Sequence, residues 1–268
     1  MKFTVLLSLY YKEVAPFLQE CLNSILNNNL LPDQVVIVYD GPIGNDLESV
    51  VDIASRKLPI EIIRLQKNVG LGDALNRGLQ YCRNEIVLRM DTDDICDVNR
   101  FDKQINYFLS HPEVALLGGA IEEYDENMEV SLGKRFSASD HQEILNYAKK
   151  RNPFNHMTVA FRKSIIESVG GYKHHFLMED YNLWLRVLAS GHRTHNLEDV
   201  LVKVRAGDGM IFRRKGVRYI QSEFKLAVLK YNLGLDSFWS ASVCSMMRIF
   251  PRLLPASLLK KVYTYLRH

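Results

Sequence analysis

Leu88-Arg89-Met90-Asp91-Thr92-Asp93-Asp94-Ile95 is the stretch around which the rest of the chain is read. The apolar run Ile86-Val87-Leu88 before it has the character of a strand, and it stops at three carboxylates within four positions. Carboxylates packed this densely repel one another unless a cation neutralises them. Short acidic side chains at alternate positions, at the mouth of a strand, suit a hard divalent ion such as Mn²⁺ or Mg²⁺. Alone, the stretch reads equally as a solvated acidic turn that opens the next helix, with Asp97 or Asn99 as its cap.

The chain upstream turns that local choice into a fold. Phe3–Leu9 is a leucine- and valine-rich run of the kind expected for a strand covered on both faces. Pro16 opens a helix whose apolar positions Phe17, Leu18, Cys21, Leu22, Ile25 and Leu26 keep helical spacing. Gln34–Tyr39 is a second strand ending in the turn Asp40-Gly41-Pro42. A helix around Leu47–Arg56, a strand Ile60–Leu65, a helix Gly70–Cys82 and a strand Glu85–Met90 complete the series. Four strands alternating with helices predict a parallel sheet with right-handed crossovers, whose ligands bind beyond the carboxyl ends of the strands. Ser8 and Tyr10, Asp40, Asn68, and Asp91 with Asp93 all stand at such ends and are expected to converge on one edge. Asn68-Val69-Gly70-Leu71-Gly72 is not a dinucleotide fingerprint, because Leu75 occupies the place of its third glycine.

Beyond the acidic stretch the pattern changes. A helix is expected over Asp97–Ser110, a strand over Val114–Ile121, a hairpin over Glu122–Arg135, a helix over Asp140–Lys150 and a strand over Met157–Phe161. The pair Gly118-Gly119 within a strand implies close approach of a ligand or of another backbone. Glu179-Asp180 begins a helix that ends before Gly191, with Leu183, Trp184, Val187 and Leu188 as its apolar face. The two carboxylates either match the helix dipole or hold a general base beside an acceptor hydroxyl.

Composition bounds the function. A chain of 268 residues, 47% hydrophobic, buries a substantial core. Its net charge of +3, from 34 basic and 31 acidic residues, does not call for a nucleic acid partner. Cys21, Cys82, Cys96 and Cys244 show no zinc spacing and read as free thiols of a reducing cytoplasm. The basic-then-apolar start reads as a first strand rather than a signal peptide, and no apolar stretch reaches transmembrane length.

With Asp91-Thr92-Asp93-Asp94 after the fourth strand and Glu179-Asp180-Tyr181-Asn182-Leu183-Trp184 later, the chain resembles the inverting family 2 glycosyltransferases of the GT-A fold. It is most similar to bacterial enzymes of O-antigen, capsule and exopolysaccharide assembly. The likeness runs from Phe3 to about Arg218 and includes Ser8-Leu9-Tyr10, Asp40-Gly41, and Asn68 with Leu75-Asn76-Arg77-Gly78 on the donor side. It implies an α/β fold, a mostly parallel mixed sheet flanked by helices. The catalytic domain would be 1–235 (donor half about 1–98, acceptor half about 99–235) and the helical tail 236–268. It further implies that Asp40 contacts the uracil or ribose of a UDP-sugar, that Asp91 contacts the ribose or the metal shell, and that Asp93 ligates Mn²⁺ or Mg²⁺. Asp180 would be the catalytic base and Glu179 its orienting neighbour. Arg205, with Arg213 and Arg214, would close over the diphosphate or else form a solvated basic loop. His156 has two readings, a structural histidine or an acceptor-side group. The implied reaction moves galactose or glucose to an N-acetylhexosamine on undecaprenyl diphosphate. The Gln-x-x-Arg-Trp motif of processive synthases is absent, which favours transfer of a single sugar.

The tail Phe238–His268 combines many apolar side chains with charges that are all basic: Arg248, Arg252, Lys260, Lys261 and Arg267. Such a segment reads as binding an anionic membrane surface, which would place the protein peripherally on the inner face of the bacterial inner membrane. The alternative is a helix pair packed on the catalytic domain. Two other functions fit the α/β pattern less well. A sugar-1-phosphate nucleotidyltransferase would open with a glycine- and arginine-rich loop, and a non-catalytic metal-dependent carbohydrate-binding protein would need no base.

Overall fold

The computed structural model describes residues 1–206 and 217–249. β1 (Phe3–Leu9) pairs in parallel with β2 (Gln34–Tyr39) on one side and β4 (Ile86–Arg89) on the other, and β3 (Ile60–Arg64) lies in parallel outside β2. The helices that connect them are α1 (Ala15–Leu26), α2 (Asn45–Ser55) and α3 (Leu71–Tyr81). The strict alternation of strand side chains decides which helix covers which face. Val5, Leu7 and Leu9 of β1 with Val35 and Ile37 of β2 pack on Leu18 and Leu22 of α1 and Leu47 and Val51 of α2. Leu6, Val36 and Val38 face the other way, onto Ala74, Leu75 and Leu79 of α3. Each such fully buried side chain contributes about 1.5–3 kcal/mol relative to exposure, which accounts for the near-absence of polar residues in these strands.

The second half extends the same sheet with mixed directions. The strand order is β3-β2-β1-β4-β8-β6-β9-β5, formed with β8 (Ala160–Arg162), β6 (Val114–Tyr124), β9 (Arg193–Arg205) and the two-residue β5 (Ile95–Cys96). β8 is antiparallel to both β4 and β6, whereas β6 and β9 are parallel. The exposed strand β7 (Ser131–Arg135) pairs with the far end of β6. α4 (Arg100–Ser110) lies on the α1 face. α5 (His141–Ala148), α7 (Glu179–Ala189) and α8 (Val217–Asn232) lie on the α3 face, and the short α6 (Lys163–Ser168) precedes α7. α9 (Phe238–Ile249) packs on α8, with Ala241 and Ser245 buried and the Ser245 hydroxyl donating to the Glu223 carbonyl at 3.0 Å.

Two expectations are corrected. The helix expected from Asp97 starts at Arg100, because Ile95 and Cys96 pair with Val202 and Lys203 of β9 first. The strand expected from Met157 starts at Ala160, after a 3₁₀ turn at His156–Thr158. The close approach at Gly118-Gly119 is to side chains of the β9 region. A Cβ at Gly118 would lie 2.2 Å from the Asn196 amide oxygen, and one at Gly119 would lie 2.4 Å from a Leu201 methyl.

Candidate active site

The parallel strand ends do converge, and the loops there hold one another. Both oxygens of Asp40, just past β2, accept backbone N–H groups from the loop that starts α3: Val69 at 2.6 Å and Gly70 at 3.0 Å. A carboxylate at a helix N-terminus meets unpaired donors and the positive end of the dipole. The Asn68 amide donates to the Asp40 carbonyl at 3.2 Å. Gly41 adopts φ +87°, and a Cβ there would lie 2.7 Å from the Asn68 nitrogen, so the contact requires glycine. Ser8 and Tyr10 are half-buried at the end of β1. Arg77 is exposed on α3.

The acidic turn after β4 is built around a buried cation. Arg89, 2% exposed, forks onto both oxygens of Asp91, and its carbonyl accepts from the buried Arg100 at 2.7 Å. Arg205, at the end of β9, closes the other side. Its Nε donates to the Asp93 carbonyl at 2.9 Å, its backbone N–H donates to Asp94 at 3.2 Å, and its guanidinium lies 4.0 Å over the Phe17 ring and pairs with Glu20. Burial, then the charge of Asp91, pushes the Asp93 carboxyl up to about 6. Burial raises Asp94 well above the usual carboxylate range, and the charges of Asp91 and Asp93 add to it. Glu13, from the loop after β1, reaches the same cluster. Burial, then Asp93 and Asp91, raises it to about 7.

Asp91, Asp93, Asp94 and Glu13 thus crowd around Arg89 and Arg205, of which Arg205 is also paired with Glu20, and the negative charge left over is what a divalent cation would relieve. The donors are all oxygen, as Mn²⁺ and Mg²⁺ prefer. Among the described residues no three candidate ligands gather at one point. Ions of this kind usually keep water and substrate-phosphate ligands beside one or two carboxylates, and Asp91 and Asp93 are the residues that would hold one.

The second cluster surrounds a cavity of about 260 Å³ at the start of α7. Asp180 lines it and accepts from the Asn152 amide at 2.6 Å. Glu179, also at the wall, packs toward Gly72 at the start of α3, where a Cβ would lie 3.4 Å from the Glu179 side chain. Burial, and less strongly the charge of Asp180, raises the Glu179 carboxyl. Leu177 sets the entry to α7 at φ +58°, a left-handed conformation that is uncommon for a leucine. His156 and Tyr172 form the floor, with the imidazole Nε2 2.8 Å from the phenol oxygen and both rings edge-on to the buried Trp184. Burial, then the charge of Arg89, holds His156 well below its ordinary pKa, so the ring is neutral. Asn76 of α3 ties Tyr172 in place through both its backbone groups, at 2.8 Å each. Tyr219 of α8 and Arg248 of α9 also line the cavity. The two clusters are electrostatically connected: Tyr172 feels the charges of Arg89, Asp180 and Asp91.

The residues expected at the site thus fall into groups. Asp91 and Asp93 sit together with Glu13, and Glu179 and Asp180 share one cavity with His156. Asp40 and Arg205 are engaged in holding the loops around them. Arg213 and Arg214 lie outside the described residues, as does the tail beyond Ile249. Glu13, Arg89, Asn152, Tyr172 and Arg248 were not expected. An arginine inside the apolar run Ile86–Met90 was the available signal for one of them, since a buried charge demands a partner.

This architecture is the GT-A fold. The chain superposes on S. aureus TarS in complex with UDP-GlcNAc with a TM-score of 0.71, over 90% of this chain and 69% of that one, at 19% identity. The chain belongs to Glycosyl transferase family 2, which its residues 6–170 match. It is 47% identical to the amylovoran biosynthesis glycosyltransferase AmsE of Erwinia amylovora, over 97% of both chains. It is 40% identical to the UDP-Gal:alpha-D-GlcNAc-diphosphoundecaprenol beta-1,3-galactosyltransferase of Escherichia coli, over 98% of this chain and 95% of that one.

Proposed function

We propose that this glycosyltransferase moves a hexose, galactose or glucose, from a UDP-sugar to an N-acetylhexosamine on undecaprenyl diphosphate during surface polysaccharide assembly. The name of the Escherichia coli relative supports the substrates. The observation that carries the chemistry is Asp180, held by Asn152 at the wall of a cavity large enough for one sugar ring. A sugar hydroxyl is a weak nucleophile near neutral pH, so a carboxylate must take its proton during attack. In this reading the acceptor oxygen bonds to the anomeric carbon and its proton passes to Asp180. The bond from that carbon to the UDP oxygen breaks, and displacement from the opposite face inverts the configuration. Glu179 orients the sugar. His156, neutral and bonded to Tyr172, contacts the acceptor without competing for the proton.

On the donor side, Asp40 and Asn68 shape the loop that receives the nucleoside, with Ser8, Tyr10 and Arg77 on the same side. Asp93 and Asp91 would hold Mn²⁺ or Mg²⁺, which when bound stabilises negative charge on the leaving diphosphate. Arg205 fixes the acidic turn; Arg213 and Arg214, expected against the diphosphate from the resemblance, lie outside the described residues. The division into a catalytic domain and a tail from 236 belongs to the same reading, as does a peripheral site on the inner membrane face. The exposed Phe238, Trp239, Val243, Met246 and Met247 of α9 support it. Among the described residues no helix is long and apolar enough to cross a membrane.

The deciding experiment measures UDP release from a panel of UDP-sugars, with and without diphosphate-lipid GlcNAc or GalNAc, and reads the product linkage by NMR. UDP released only with acceptor is expected. Pyrophosphate as the product would indicate a nucleotidyltransferase, and turnover with none of the donors would refute the reading.

A further inference from the structure

The sugar-sized cavity has a basic side that the transfer chemistry does not use. α5 is followed by Lys149-Lys150-Arg151, immediately before Asn152, the residue that holds Asp180. Two more cations from the C-terminal helices are fastened to the same short segment. The Lys230 ammonium donates to the Lys149 carbonyl at 2.7 Å, and the Arg248 guanidinium donates to the Lys150 carbonyl at 3.3 Å. Arg248 also lines the cavity and pairs with the buried Glu223 at 2.9 Å. Burial, then the charge of Arg248, lowers the Lys230 ammonium to about 8. Burial opposes the Arg248 charge, but Glu223, then Tyr219 and Tyr181, outweigh it and raise the guanidinium above its ordinary value, so a full positive charge stands at the cavity wall. Lys150 and Arg151 are exposed, and Arg151 directly precedes the cavity-lining Asn152.

These features together are informative. Asp180 and Arg248 both line the cavity, the Arg248 guanidinium lies 5.8 Å from the centroid of the Tyr181 ring, and α9, which carries Arg248, exposes Trp239 to 77%. A lipid-diphosphate-linked sugar brings the matching set: hydroxyl, ring, diphosphate and hydrocarbon. We propose that Arg248, Lys150 and Arg151 form the subsite for the acceptor's diphosphate, and that α8 and α9 carry this subsite between the sugar cavity and the lipid. The inference rests on the proposed acceptor class. Guanidinium groups suit it because their planar forks bind phosphate oxygens in pairs.

The test compares two acceptors with UDP-galactose as donor: N-acetylglucosamine linked through diphosphate to an alkyl chain, and the phosphate-free alkyl glycoside of the same sugar. Losing one charge-assisted contact to a phosphate weakens binding by about ten- to a hundredfold. Lys150→Ala/Arg151→Ala, which removes exposed side chains, and Arg248→Gln should each lower the diphosphate-over-glycoside ratio of kcat/KM by at least about tenfold, mainly through KM. UDP affinity and melting temperature check the donor half and folding. The exposed pair keeps the test decisive if Arg248→Gln disturbs Glu223. Equal loss toward both acceptors, or a parallel fall in UDP affinity, would overturn the subsite, the latter by assigning the cations to the donor diphosphate. A wild-type enzyme that transfers to both acceptors equally would overturn the acceptor class itself, and the subsite with it.

Discussion

Replacing Asp180 by Asn separates chemistry from structure more cleanly than any other change at this site. The side chains have nearly the same shape, so the cavity is preserved, and what changes is the ability to accept a proton. The wild-type carboxylate accepts from the Asn152 amide at 2.6 Å and from the Tyr181 backbone N–H at 2.7 Å. An asparagine keeps one of these bonds through its oxygen and loses the other, so the stability cost is that of one bond to a charged acceptor, about 1.5–3 kcal/mol. Loss of a general base costs about 10²–10⁴ in rate. Asp180→Asn should therefore fold, bind UDP with near wild-type affinity, and turn over at least about a hundredfold more slowly, with kcat carrying the loss. Calorimetry of UDP binding and a coupled assay of UDP release measure the two quantities. Glu179→Gln is the internal control, because adjacent helical side chains point about 100° apart. If Glu179→Gln is the inactive variant and Asp180→Asn keeps most of its activity, the base has been assigned to the wrong carboxylate. If neither slows transfer, both carboxylates serve the helix terminus alone.

Four further outcomes follow from the donor half and the C-terminal helices. Asp93→Asn should weaken UDP binding in the presence of Mn²⁺ as well as slowing transfer, and EDTA should weaken binding to the wild type; calorimetry showing equal affinities in all three would exclude Asp93 as a ligand. The raised pKa values of Asp93, about 6, and Glu13, about 7, mean that the folded protein holds protons which the unfolded chain has lost. Stability of the metal-free protein should thus fall as pH rises from about 4 to 7, by at most about 3 kcal/mol for Asp93, and UDP with Mn²⁺ should raise the melting temperature more at pH 8 than at pH 5; a flat profile would refute the shared-proton cluster. Gly41→Ala should lower the melting temperature by several degrees, since the left-handed backbone alone costs about 1–2 kcal/mol and the new Cβ meets the Asn68 nitrogen. Trp239→Ser/Met246→Ser should reduce sedimentation with anionic liposomes without lowering UDP affinity, and equal sedimentation of variant and wild type would remove α9 from the membrane contact.

The donor half was legible because its physics is local. Strands buried on both faces read as unbroken apolar runs, the connecting helices carry 3.6-residue spacing, and right-handed crossovers leave little choice of topology, so the convergence of Asp40, Asn68 and Asp91 follows from order alone. Glu179 and Asp180 were legible for the same reason, as carboxylates opening an amphipathic helix. The rest depends on partners far away in the chain. β9 carries no clean alternation, because it pairs with β6 through three irregularities and exposes part of its length, so only the sheet defines it. Gly118-Gly119 signals a close approach, but only the fold identifies Asn196 and Leu201 as what approaches. For Arg205 the resemblance implied either closure over a diphosphate or a place in a solvated basic loop; its stacking on Phe17 and its bond to the Asp93 carbonyl join it to residues more than a hundred positions distant, which only the fold shows. The cavity itself is assembled from α3, the 152–156 segment, α7, α8 and α9. Its wall at Tyr219 and Arg248 is a consequence of packing, because a pocket has no periodicity and exists only where elements remote in sequence meet.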